Sequence, residues 1–421
     1  MKTRAGRGWL TLFTLAWLVI WMVQLTPLQL LLPLQLDSSV SQDGDRWVSG
    51  VVISGIILGV GGLAGVIAGP VAGALSDRTR GANLPAVLGG RRRVWSLGGV
   101  WLTAASLTLT GFAHQPVWVA LCWIGVSVGV AVASAAFTAL IADQLPPAQR
   151  GAAAAAVGSS QALGIVLGVG AVVVAGLTVT QGYLLLAALI GVVGTFAAFG
   201  LPDPPADAMA RAAETEKTPL RSLRDPDFAW MLSGRLIGNI GNALGTSLFL
   251  FFLLYGLHQE QAVAENNLLI LIVVYTIFVV AASIVTGLIS DRRGHRRALT
   301  VWCAVIQAGS GAIIALHPTF GATVFASAVM GVGYGGFSTV GLAFATDLLP
   351  HQEDHGRDLG VVNVAAALGQ LIGPILGAGL VAAVGGFWLL FTMAGVLSIA
   401  GALLTMKARD AVGAPHDVVV E

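Results

Sequence analysis

The side chains able to do chemistry in this 421-residue chain are few, and most are uncharged. Trp17, Trp21 and Gln24 stand at i, i+4 and i+7, which puts them on one face of a helix; Pro27 then kinks it. Asn239 and Asn242 lie three residues apart in another apolar run. Tyr334 sits in the glycine-rich "GVGYGGF" and Gln370 in "ALGQLIGPILGAG", with Gln307 and Tyr275 as weaker candidates of the same kind. Amides that bond hydroxyls, beside indoles that cover the apolar face of a ring, suit an uncharged polyol such as a sugar or glycoside. For each amide the competing explanation is a helix–helix hydrogen bond, worth only about 1 kcal/mol in a membrane. Arg235 is the one charge inside an apolar run. It lies roughly 10 Å beyond Phe228 at about 1.5 Å per residue, so snorkelling to the surface or pairing with a carboxylate is expected ahead of contact with an anionic substrate.

The rest of the inventory argues against an enzyme. There is no Ser/His/Asp cluster, no metal-ligand spacing and no phosphate loop, since "GVGYGG" follows an apolar run with no strand before it. His351 and His355 in "HQEDH" are expected in a solvated loop, and neither a metal nor a cofactor is expected. Cys122 and Cys303 both fall in apolar stretches and read as packing residues.

These side chains need an unusual framework. The chain is 56% hydrophobic and only 10% charged, with a mean hydropathy of +0.84. Soluble domains carry about 25% charged residues, so the surface must be wetted by lipid. Windows of about 20 residues divide the chain into twelve apolar segments: 8–35, 47–75, 94–113, 116–142, 152–177, 179–200, 228–256, 266–290, 298–317, 320–346, 359–384 and 387–407. Of 22 Lys and Arg residues, all but Arg46 and Arg235 fall in even-numbered loops or the termini. Cationic residues collect on the cytoplasmic side, so both termini are expected in the cytoplasm, and the protein is expected to be a multi-pass plasma-membrane monomer in contact with lipid. A net charge of +1 offers nothing to nucleic acid.

The chain also reads as two halves. Residues 201–227, rich in Pro, Ala and charge, form a cytoplasmic linker between a six-helix bundle at 1–200 and a second at 228–407, with a tail at 408–421. "GALSDRTRG…GRRR" (73–93) returns as "GLISDRRGHRR" (287–297), and "ADQLPPAQRG" (142–151) returns as "TDLLPHQEDHGRDLG" (346–360). Asp77 to Asp143 is 66 residues and Asp291 to Asp347 is 56. Aligning Arg91 with Arg296 assigns nine residues to an insertion around "GANLPAVLG" and leaves 57 against 56. Related six-span halves are a hallmark of secondary transporters.

The paired "G-x-(L/I)-S-D-R…G-x-R-R" motifs resemble the loop motif of the major facilitator superfamily. "TPLQLLLPLQL" (26–36) with "SDR…GRRR" is similar to its sucrose transporter and glycoside–cation symporter branch. The resemblance implies an all-α membrane fold of twelve transmembrane helices in two pseudo-symmetric bundles, alternating access, and a small-molecule site near mid-membrane. It implies that Asp77 and Arg78, with Asp143 and Arg150, hold a cytoplasmic gate in one half, and Asp291 and Arg292 in the other. Arg91, Arg92 and Arg93 are expected to anchor topology at the lipid surface instead. It further implies that the helices carrying the glycine stripes Gly61, Gly65, Gly69, Gly73 and Gly369, Gly373, Gly377 face each other across the halves; the stripes are expected to serve either as a moving interface or as static close packing.

Coupling is where this chain departs from those relatives. No Asp or Glu lies in spans 1, 4, 7 or 10, so the carboxylate expected in span 4 of the symporters is missing. The arginine that proton-coupled drug antiporters carry there is missing too, and Val169 stands where their span-5 proline would be. A proton or sodium ion is therefore unsupported by an intramembrane carboxylate. A uniporter, coupling through Asp77 and Asp143, or an ion borne by the substrate remain. Efflux of amphipathic drugs or metabolites is the alternative transport reading, and a non-transporting membrane sensor is the alternative of another class.

Overall fold

A computed structural model describes residues 6–40, 47–79, 90–203, 225–348 and 355–409. They form twelve long helices: α1 (Gly8–Ser38), α2 (Trp47–Arg78), α3 (Arg91–Phe112), α4 (Pro116–Gln144), α5 (Pro147–Val174), α6 (Val179–Gly200), α7 (Pro226–Gly256), α8 (Gln261–Arg293), α9 (Arg296–Leu316), α10 (Phe320–Asp347), α11 (His355–Val384) and α12 (Trp388–Lys407). Eleven are long and apolar enough to cross a membrane. The exception is α3, which begins with three arginines and carries Ser96, Thr103, Ser106, Thr108 and Thr110. The hydroxyls of Ser96, Thr103, Thr108 and Thr110 donate to carbonyls of their own helix, which is how a polar residue is tolerated in a span; Ser106 sits against Gly125 of α4.

The chain divides into two compact units, one of Met1–Lys217 with Gln259–Leu269, the other of Thr218–His258 with Ile270–Glu421. The same pairing operates in each. In the first, α1 packs on α5 and α6, α2 on α4, and α3 on α4 and α6. In the second, α7 packs on α11 and α12, and α9 on α10 and α12, while Gly331 and Gly335 of α10 lie against Tyr275 and Val279 of α8. Shifting each number by six superimposes the two schemes, the structural counterpart of the repeated loop motifs.

The first helix of each half is interrupted. Pro27 lacks an amide hydrogen, and α1 widens into one π-helical turn at Pro27–Leu31 before continuing to Val40. Beyond it, the buried Gln35 donates to the carbonyls of Thr110 and Ala113, 2.7 and 2.8 Å away, closing the end of α3. In α7 the backbone leaves helical geometry at Leu248, and a π-helical turn follows at Phe252–Gly256.

Close helix crossings rest on glycine. In α7, Gly234 and Gly241 face α12, while Gly238 and Gly245 face Phe337 and Met330 of α10. Many large apolar side chains instead point outward, among them Leu109 at 61% and Phe196 at 71% exposure. That is the surface a lipid solvent requires.

Candidate functional site

Where α2 ends and α3 begins, one guanidinium ties three helices together. Arg92 Nη2 lies 2.6 Å from Asp77 Oδ1, its Nε 2.9 Å from Asp143 Oδ2, and its Nη1 donates to Ser76 Oγ at 2.6 Å. Arg91 reaches the same Asp143 carboxylate at 3.5 Å and donates to the Asp77 carbonyl. The second unit repeats the device in reduced form: Arg296 lies 2.6 Å from Asp347 and 3.7 Å from Asp291.

This corrects the expectation for the arginine triplet. Arg91 and Arg92 are buried, 8% and 5% exposed, and paired, so they do not meet lipid headgroups. Arg93 donates to the Ala198 carbonyl and lies over the Phe199 ring, 5.4 Å from its centre. Arg78 and Arg292, the motif arginines, are exposed, as is Arg150, whose Nε reaches only the Leu145 carbonyl. Four aspartates named from the sequence thus come together two by two, through Arg92, expected instead at the lipid surface, and Arg296, to which no partner was assigned. A signal existed: Arg92 lies 15 residues after Asp77 and Arg296 five after Asp291. With these aligned the insertion is ten residues, and the aspartate spacings match at 56.

Beside this cluster, Asp203 accepts from the Arg93 backbone N–H at 2.7 Å and caps α3. Its side chain lies so close to Gly90 that a Cβ there would meet it. Burial raises its carboxyl above the ordinary value, partly offset by the Arg93 and Arg92 amides and charges. An acid with a raised folded pKa is more stabilising when protonated, so its contribution is fully present below the unfolded pKa and falls as pH rises through the folded one. Asp203→Asn is expected to flatten that acid-side slope in thermal unfolding, while Asp203→Ala should flatten it and also lose about 1 kcal/mol of capping at acid pH. A slope unchanged in the asparagine variant would refute the assignment.

A second polar group lies within the second unit. Asn239 and Asn242 of α7 are both 3% exposed. The Tyr334 hydroxyl donates to Asn239 Oδ1 and the Tyr275 hydroxyl to Asn242 Oδ1, each at 3.3 Å. The two tyrosine rings stack with centroids 6.4 Å apart. Asn239 also donates to the Arg235 carbonyl one turn earlier, at 2.7 Å. Arg235, Asn239 and Asn242 therefore share a face of α7 at i, i+4 and i+7, against half-buried tyrosines from α8 and α10. Arg235 is 7% exposed and donates from Nη1 to the Ser338 carbonyl at 3.2 Å. Its expected snorkelling does not occur, because Gly341 admits the guanidinium beside α10 instead. Gln307 bridges the Gly238 carbonyl and Ser398 Oγ, a helix clamp. Gln370 is exposed on α11.

The first unit carries an aromatic ladder along α1. Trp9 and Phe13 stack at 4.9 Å, Phe13 and Trp17 lie 6.3 Å apart, and Trp17 and Trp21 6.2 Å. Trp21 Nε1 donates to the Val157 carbonyl of α5 at 3.2 Å, whereas the buried Trp17 Nε1 has no partner. Gln24 is half-buried one turn on.

The glycine stripes differ in what they meet. In α2, Gly61 lies against Trp123 and Ser127 and Gly65 against Ser127 of α4, while Gly69 and Gly73 have no heavy atom within 4 Å of a Cβ placed on them. In α11, Gly369 abuts Asn239, Gly373 abuts Ala243, and Gly377 meets Leu244, Leu248 and Leu390. The α11 stripe is thus occupied by α7 of its own half, because Asn239 and Ala243 lie four residues apart on the α7 face turned to it. Among the described residues no cluster of three or more His, Cys, Asp or Glu could hold a metal; His351 lies outside the described residues, as does the His355 side chain.

A search of curated proteins finds no match. Solved structures similar to the whole chain include a mutant of the nucleoside transporter NupG (15% identity, TM-score 0.73, covering 94% of this chain and 98% of that one) and a D-xylose-proton symporter (15%, 0.73, 96% and 98%). A bacterial homologue of the human lysosomal transporter Spinster is similar at 14%, 0.72, 95% and 96%. At these identities the likeness shows the fold. The family model for the Major Facilitator Superfamily matches residues 86–264 and 235–417. The twelve helices, the repeated pairing of the halves and this match together place the chain in the major facilitator superfamily, as a multi-pass membrane transporter and not an enzyme.

Proposed function

We propose that the chain carries a small polyhydroxylated solute, of the sugar or glycoside kind, across the plasma membrane by alternating access, with both termini cytoplasmic. The observation that carries this reading is the pair of amide–tyrosine contacts, Asn239 with Tyr334 and Asn242 with Tyr275. Each leaves amide N–H or phenol oxygen capacity for a hydroxyl ligand, and the tyrosine faces suit a sugar ring. The Trp17–Trp21–Gln24 face of α1 supplies the same chemistry in the other half. Two of the similar structures are by name a nucleoside transporter and a D-xylose-proton symporter, and nucleosides and D-xylose are hydroxylated, which supports the reading.

Thermal unfolding of the purified protein in detergent tests it. A ligand that binds the folded state stabilises it by RT ln(1 + [L]/Kd), about 1.4 kcal/mol at tenfold saturation. Sugars or glycosides are expected to raise the unfolding temperature, and Asn242→Ala to abolish the shift. A shift produced only by amphipathic cations would replace this reading with efflux of amphipathic compounds.

Alternating access adds a second expectation. Among the described residues nothing lies within 4 Å of a Cβ placed on Gly69 or Gly73, which supports their face of α2 as one that closes against a surface during transport. Gly69→Leu is expected to fold with an unchanged unfolding temperature and to lose most uptake in proteoliposomes. Full uptake in that variant would exclude a moving face at this position.

A further inference from the structure

We infer that the transported solute carries an oxyanion, a carboxylate or phosphate, received by the Arg235 guanidinium at one end of the polar face made by Asn239, Asn242, Tyr275 and Tyr334. This rests on the transporter reading above and narrows the uncharged polyol to an acidic one. A buried guanidinium needs compensation by a counter-charge and by hydrogen bonds. Arg235 has neither in full: its one hydrogen bond is Nη1 to the Ser338 carbonyl, and Nε is buried with no partner.

The four carboxylates of this unit whose side chains are described are engaged elsewhere. Asp225 accepts from the Asp227 and Phe228 amides, and Asp227 from the Arg409 amide. Asp291 and Asp347 face Arg296. Among the described residues no ion pair involves Arg235.

The position is as informative as the charge. Arg235 stands one turn before Asn239 and two before Asn242, and Asn239 bonds both the Arg235 carbonyl and the Tyr334 hydroxyl. One helix face therefore presents a cation and then two amides, over the roughly 10 Å that seven helical residues span. A hexose-sized acid has the matching order of groups, an oxyanion at one end and hydroxyls along its length. The guanidinium fork pairs with two oxygens at once, which selects carboxylate or phosphate over a spherical halide.

The test compares D-glucuronate, glucose 6-phosphate, methyl glucoside and potassium chloride, titrated against the unfolding temperature of the full-length protein in detergent. Either glucuronate or glucose 6-phosphate is expected to bind at least about tenfold more tightly than methyl glucoside, and which one does so assigns the oxyanion. Arg235→Gln is expected to remove that preference, and Arg235→Lys, which keeps the charge without the fork, to retain part of it. If Arg235→Gln fails to fold, the wild-type comparison with the lysine variant still decides. Equal binding of glucoside and acids, a shift by chloride as large as that by glucuronate, or a preference that survives Arg235→Gln overturns the inference. Binding of the glucoside alone would overturn it while leaving the transport of hydroxylated solutes standing; no shift with any ligand would overturn both.

Discussion

Replacing Arg92 by leucine is expected to lower the stability of the protein by about 3 kcal/mol, the lower end of what removing one partner from a buried ion pair costs. The reason is asymmetry. The Asp77 side chain is 55% exposed and can be rehydrated, so its loss of a partner is cheap. Asp143 is only 16% exposed, and without Arg92 its remaining cation is Arg91 at 3.5 Å. Ser76 Oγ loses its donor as well. At roughly 2–4 °C per kcal/mol for a unit of this size, the unfolding temperature should fall by roughly 6–12 °C. If an uncompensated carboxylate is the cause, the double variant Arg92→Leu with Asp143→Asn should regain part of the loss, a coupling that the cycle of single and double variants measures. Arg92→Leu alone within about 0.5 kcal/mol of wild type would show that the network is not structural. Full additivity in the double variant would assign the loss to packing.

Arg92 also marks where reading the sequence stops. Apolar length and cation placement sufficed for twelve helices, because a lipid solvent imposes both on the chain itself. The recurrence of Asp77, Asp143, Asp291 and Asp347 was legible for the same kind of reason, since a carboxylate in a loop made cationic by topology has no topological purpose. Which arginine each aspartate meets was not legible. A run of three arginines at a helix start looks alike whether it faces lipid headgroups or a neighbouring helix, and only the packing of α3 against α4 decides. Asn239 and Asn242 stood out as amides in an apolar run, yet their tyrosine partners come from 33 and 95 residues away. Tyr275 ranked low because nothing in its own segment distinguishes it. Arg235 was expected to snorkel from its depth along α7; its actual course is set by Gly341 across the crossing with α10.

The glycines of the α7–α12 crossing give the second large effect. Gly401→Val is expected to destabilise by at least about 3 kcal/mol, the upper end of ordinary overpacking, and to reduce the yield of folded protein accordingly. A Cβ on Gly401 would lie 2.8 Å from the Gly234 carbonyl oxygen and 2.9 Å from the Gly238 nitrogen. Both are backbone atoms, so no rotamer change relieves the contact and α7 itself must move. Gly241 is seated the same way, since a Cβ on it would lie 2.8 Å from Ser398 Oγ and 2.9 Å from the Ala394 carbonyl oxygen, so the displacement would run along the whole α7–α12 crossing. It would also shift Arg235, Asn239 and Asn242, which are interspersed with Gly234, Gly238, Gly241 and Gly245 along α7. A variant that still folds should therefore lose ligand-induced stabilisation as well as stability. Gly69→Leu is the matched control: a larger side chain on a glycine with nothing within 4 Å, expected to leave stability unchanged. If Gly401→Val unfolds within about 0.5 kcal/mol of wild type, the α7–α12 crossing is looser than its distances state. If Gly69→Leu destabilises as much as Gly401→Val, close backbone approach is not what sets the cost at Gly401, since helix propensity favours both replacements over glycine.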